Sequence, residues 1–93
     1  MSQPNTLVGG WTTYRAELSE EETKVFNEAF KGFVGVQYNP VAVASQVVAG
    51  VNYRYFCNAR AVIPDPQNQA AIVSIYKPLN DTAVIKNIKE IKV

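Results

Sequence analysis

The chain has 93 residues, with nine Lys and Arg against eight Asp and Glu and no histidine, so its formal charge is +1. That balance excludes a field that steers nucleic acid or anionic membrane, and the missing imidazole excludes Ser-His-Asp and Cys-His nucleophiles and any histidine-dependent metal centre. The single cysteine, Cys57, closes no internal disulfide and builds no zinc knuckle, and no apolar run approaches the roughly 18 residues of a membrane span.

Burial alone must therefore hold one domain together. With 47% apolar and 11% aromatic residues, the composition suits a globular domain, and a chain this long buries roughly 60–65% of its unfolded surface. A lone thiol in so small a domain favours a reducing compartment, the cytoplasm. Residues 1–6 are polar and carry no secretory core; a leader removed earlier leaves secretion or the periplasm open.

In chain order, residues 1–6 read as a polar arm running into Leu7-Val8-Gly9-Gly10. Residues 11–18 read as a modest strand, with Thr12, Tyr14, Ala16 and Leu18 on one face and Trp11, Thr13, Arg15 and Glu17 on the other. A helix of about twelve residues follows. Ser19 and Glu22 have the capping-box spacing. Glu20, Glu21 and Glu22 crowd the first turn, where the helix dipole favours negative charge; this explains them better than a role as acid–base groups, so no enzyme is expected. Val25, Phe26, Ala29, Phe30 and Phe33 form one apolar stripe, and Gly32 stands where a C-terminal glycine is expected.

Asn39-Pro40 reads as a break, after which β-branched and small residues dominate. Residues 51–63 alternate, placing Val51, Tyr53, Tyr55, Cys57, Ala59, Ala61 and Ile63 on one face and Asn52, Arg54, Asn58 and Arg60 on the other, with Phe56 and Val62 as apolar residues on the outer side. Residues 64–69 hold two prolines and form a loop. Residues 70–76 are a further strand and 77–81 a second turn. The last segment fits a helical stripe about as well as a bulged strand, and its isoleucines and valines tip it to strand. Lys86, Lys89 and Lys92 then read as a solvated edge that discourages strand addition. The expectation is an α+β, two-layer domain spanning residues 1–93, one helix wrapped by a four- to five-stranded antiparallel sheet.

The sharpest local feature is Gln46-Val47-Val48-Ala49-Gly50, between two strand-like segments. By composition it is a strand end bending at Gly50, with Val47 and Val48 as core residues. As a named pentapeptide it arises by chance in roughly three of a hundred thousand chains this long. It matches the QVVAG hairpin of the cystatin family, inhibitors of papain-like cysteine proteases, and the chain resembles that family along its whole length. A trunk with glycines (Leu7, Val8, Gly9, Gly10), a strand, a helix, the Gln46–Gly50 hairpin, a long partner strand and a second hairpin occur in the family's order. Without cysteine pairs the chain is similar to the disulfide-free, stefin-like or phytocystatin-like members. Where many members carry Pro-Trp in the second hairpin, this chain has Pro78-Leu79, and its single tryptophan is Trp11.

The resemblance implies a cystatin-like fold and a reversible, competitive inhibitor that plugs the protease cleft with a wedge. Residues 1–8 would be a flexible trunk. Leu7 and Val8 would fill apolar pockets of the cleft, and Gly9 and Gly10 would let the backbone pass the catalytic thiol without a Cβ. Gln46, Val47, Val48, Ala49 and Gly50 would form the first tip and Pro78 and Leu79 the second. The partners implied are papain-like cysteine proteases, with no nucleic acid, no membrane and no cofactor. The protein would be a monomer able to exchange strands into a domain-swapped dimer. The alternative is a non-inhibitory ligand- or protein-binding module on the same scaffold, using the face that carries Asn52, Arg54, Asn58 and Arg60.

Overall fold

The computed structural model describes residues 9–91; the expectations resting on Leu7, Val8 and Lys92, and the trunk at 1–8, lie outside them. The helix begins as its capping box requires. In α1 (Glu20–Ala29) the Glu22 N–H donates to the Ser19 hydroxyl at 3.1 Å, and the Ser19 N–H donates to Glu22 Oε1 at 2.8 Å. Glu22 is only 7% exposed, and its second oxygen pairs with the Arg15 guanidinium, so the buried charge is neutralised locally. The helix ends earlier than the twelve-residue stripe suggested, with Phe30 as C-cap; Gly32 takes a φ of +83° two positions later. Phe33 is therefore a loop residue rather than part of the helical face. Its ring still packs at 5.0 Å from Phe30 and 5.8 Å from Tyr38.

Four strands follow: β1 (Val36–Val48), β2 (Gly50–Ala61), β3 (Asn68–Lys77) and β4 (Val84–Ile91). They pair as an antiparallel meander in the order β1-β2-β3-β4. The molecule is thus α+β, one helix on one face of a four-stranded sheet. The alternation in β2 is realised: Tyr53, Tyr55, Cys57 and Ala59 are buried, and Arg54, Asn58 and Arg60 are exposed. Ile63, expected on the buried face, lies beyond the end of β2 and is 61% exposed. Val25 and Phe26 of α1 close over Tyr53, Tyr55, Cys57, Val73 and Ile75. The Phe26 ring meets Tyr55 edge-on at 4.9 Å, and the Tyr55 hydroxyl donates to the Glu22 carbonyl at 2.8 Å, so one side chain ties helix to sheet.

Three expectations need correction or sharpening. Residues 11–18 form no strand, only isolated bridges at Trp11↔Gln46 and Arg15↔Val43. Between them the Ser45 N–H donates to the Thr12 side-chain oxygen at 3.0 Å rather than to a backbone carbonyl, and a side chain in the ladder interrupts it. Asn39-Pro40 is no break. Both lie within β1, where the register shifts between Pro40 and Ala42; a residue without an N–H is tolerated at a bulge. The ambiguous last segment is a strand, and it is bulged: Ser74 faces Asn87 while Ile75 faces Ile85, leaving Lys86 unpaired. Lys86 and Lys89 do lie on an edge strand.

Burial sets the response to alkali. It pushes the Cys57 thiol up to about 12. The Tyr55 hydroxyl is raised by burial first and then by Tyr53 and Glu22, and Tyr53 by burial, Glu21 and Glu22. Each group is held neutral in the fold, with a folded pKa above the unfolded one. The stability they contribute is therefore complete below the unfolded values of about 9 to 10 and is lost as pH rises through the folded ones. The melting temperature is expected to fall steeply between about pH 9 and about pH 12, with the Tyr53 and Tyr55 share of the tyrosinate absorbance appearing only on unfolding. Cys57, fully buried, is expected to resist aromatic disulfide reagents until then. Circular-dichroism melts across that range, unchanged at pH 12, would contradict this.

Candidate functional site: the hairpin end of the sheet

In an antiparallel meander alternate connections share an end. The β1–β2 and β3–β4 turns therefore project together, while the β2–β3 loop lies at the opposite end. The pairings Val47↔Val51 and Val51↔Lys77 place the stem of the first turn beside that of the second. The residue that joins them most closely is Gly50, whose φ is +102°. A Cβ there would run into the Lys77 carbonyl oxygen and stand 3.1 Å from the Tyr76 ring. The Tyr76 hydroxyl, also on β3, donates to the Ala49 carbonyl, so the two hairpins are clamped at their bases.

The N-terminal segment arrives at the same end. The Gly9 N–H donates to the Val47 carbonyl at 3.0 Å, and Gln46 Nε2 donates to the Gly9 carbonyl at 2.9 Å. Gln46 Oε1 in turn accepts from Asn52 Nδ2 at 2.8 Å. Gln46 thus braces three segments rather than projecting from the tip. Gly9 is exposed with a φ of +89°, a conformation that L side chains rarely adopt; Gly10 is half-buried.

What projects is largely apolar, with Asp81 the one charged side chain exposed in the two turns. Ala49 is exposed, Val48 and Pro78 are half-buried, Val47 is 36% exposed and Leu79 is 74% exposed. The second turn is steadied from the helix: Glu28 Oε1 accepts the Ala83 N–H at 3.1 Å and lies 3.8 Å from Lys77 Nζ, which also donates to the Asp81 carbonyl. Gly9, Gly10, Gln46 to Gly50, Pro78 and Leu79 therefore come together at one end. Tyr76, Asn52 and Glu28 act there without having been singled out for it. Period-two alternation assigns a residue to a face but says nothing of which neighbouring turn its hydroxyl or amide will reach.

The opposite sheet face is also defined. Asn52, Arg54, Asn58 and Arg60 point away from the helix, and Gln37, Asn39, Asn58, Arg60 and Asn68 line a shallow depression there. Among the described residues no group of three or more Cys, Asp or Glu is gathered to hold a metal ion, and no helix is long and apolar enough to cross a membrane. Comparison with protein-family models, with curated proteins and with solved structures finds no match.

Proposed function

We propose that this chain has a cystatin-like fold and is a reversible, competitive inhibitor of papain-like cysteine proteases. The observation that carries the reading is the convergence of the Val47–Gly50 turn, the Pro78-Leu79 turn and Gly9-Gly10 at one end of the sheet. These segments make a largely apolar ridge braced from behind, which a protease cleft accepts without any catalytic group on the inhibitor. A pre-braced ridge also loses little conformational entropy on docking. Leu79, 74% exposed, would take the place of the aromatic residue seen in many cystatins.

Active papain titrated with the protein is expected to lose activity with substrate-competitive kinetics at micromolar or lower concentration. Deletion of residues 1–8 is expected to weaken inhibition by about 2–4 kcal/mol, as removal of buried apolar anchors does. Full papain activity at ten micromolar inhibitor, roughly −7 kcal/mol of binding, refutes the reading. The second reading, a non-inhibitory binding module, draws on the outward Asn and Arg side chains of β2 with Gln37, Asn39 and Asn68 around them. A chain that ignores papain yet binds a ligand through Arg60 supports it.

A further inference from the structure

The segment that enters the ridge is held by one contact the proposed function leaves unused. Arg54, on the sheet face turned away from α1, lays its guanidinium carbon 4.0 Å from the centroid of the Trp11 ring. Arg54 makes no ion pair among the described residues, so the indole is the guanidinium's main partner there. Its lateral neighbours in the register are Ala44 and Ser74, both small enough to leave room for a ring over the sheet. Ala44 is nonetheless only 4% exposed, as a residue roofed by that stack should be. Trp11 bridges to Gln46, the next backbone bond runs from the Thr12 N–H to the Ser45 carbonyl at 2.9 Å, and the chain then has Gly10 and Gly9 immediately upstream.

Two successive glycines leave the direction of the preceding residues unspecified by their own backbone preferences. Direction has to come from what clamps the chain on either side of them. Downstream that clamp is the Trp11–Arg54 stack, and at Gly9 it is the Gln46 amide. We propose that Trp11 and Arg54 are positioning residues that aim the chain at Gly9 and Gly10 across the ridge, so that a protease meets this stretch already oriented. This deepens the proposed inhibitory reading and rests on it. It adds that affinity is set partly by a stack on the outer sheet face, away from the cleft.

The test is a double-mutant cycle in the full-length protein against papain. Arg54→Ala is expected to weaken inhibition roughly five- to tenfold, the scale of a partly desolvated cation–aromatic stack, while Arg54→Lys, which keeps a cation over the ring, restores most of it. In a background carrying Leu7→Ala and Val8→Ala, Arg54→Ala is expected to add less than about twofold, because aiming a segment without anchors gains nothing. Equal losses in both backgrounds mean a general structural role and overturn the proposal. The second readout needs no protease: Trp11 is the chain's single tryptophan, and its quenching by acrylamide in the free protein is expected to rise in Arg54→Ala. Unchanged quenching overturns the stack itself. Wild-type protein that leaves papain fully active, with quenching behaving as expected, refutes the inhibitory reading and the aiming role while leaving the stack intact.

Discussion

Gly50→Ala is expected to lower the melting temperature by roughly 12–24 °C and to weaken the proposed papain inhibition at least tenfold. Two effects add. An alanine at a φ of +102° carries left-handed strain of about 1–2 kcal/mol. Its methyl group also meets the Lys77 carbonyl oxygen, a backbone atom that yields only if β3 moves, for about another 1–3 kcal/mol. A sum near 3 kcal/mol corresponds to that shift at about 4–8 °C per kcal/mol in a domain of this size. Gly35→Ala is the control, since Gly35 has a φ of +98° but nothing within 4 Å of the added carbon. It carries the strain alone, about 1–2 kcal/mol. Equal melting shifts in the two variants would mean that the close approach of the hairpins contributes nothing. The functional loss follows because relieving the collision separates β3 from the first turn, and the two tips then no longer present one ridge.

Tyr55→Ala is expected to remove about 4 kcal/mol of stability, enough to leave a substantial unfolded population at physiological temperature in a domain of marginal stability. The ring is fully buried, meets Phe26 at 4.9 Å and Tyr53 at 5.7 Å, and its hydroxyl is bonded to the helix backbone at 2.8 Å. Tyr55→Phe separates the contributions. It keeps the packing and loses one hydrogen bond, for about 1–1.5 kcal/mol, because the Glu22 carbonyl keeps an intrahelical partner position. Urea unfolding monitored by circular dichroism measures both, with an unchanged slope expected for the phenylalanine variant. If Tyr55→Phe costs as much as Tyr55→Ala, the hydroxyl rather than the ring joins helix to sheet, and the account of the core is wrong.

Much of this architecture is legible in the chain because its causes are short-range. Ser19 and Glu22 start a helix through bonds that close within one turn. The alternation from Tyr53 to Ala59 needs only a sheet with one covered face. The departures from local expectation trace to non-local partners and to the chain's own turns. Residues 11–18 have strand composition, yet Thr12 offers its hydroxyl to Ser45 and the ladder stops at isolated bridges. A proline lacks a donor and by itself marks a strand end, but β1 absorbs Pro40 with a bulge and continues to Val48. Phe33 keeps the helical spacing and lies outside the helix, since Phe30 caps it first and the chain turns through Gly32.

The candidate site divides in the same way. The pentapeptide Gln46–Gly50, the paired glycines and the turn at Pro78 are visible as local signals, because each is a backbone requirement of its own segment. Their assembly is not. The Gln46 side chain finds the Gly9 carbonyl 37 residues away, Tyr76 of β3 reaches Ala49 in the turn between β1 and β2, and Glu28 of the helix holds Ala83, just before β4.

By itself, then, the sequence determined the function classes this chain excludes, its helix start, the buried face of its longest alternating strand and the residues of its turns. Those follow from composition, dipole, capping and side-chain period, all of which act within a few residues. Only the tertiary structure decided that two turns and an N-terminal segment share one end, that Gly50 must lack a side chain because β3 passes beside it, and that Trp11 lies on Arg54. The reason is the register: a meander sets which residues meet only when every strand is paired, and no local preference encodes a contact between partners that distant in the chain.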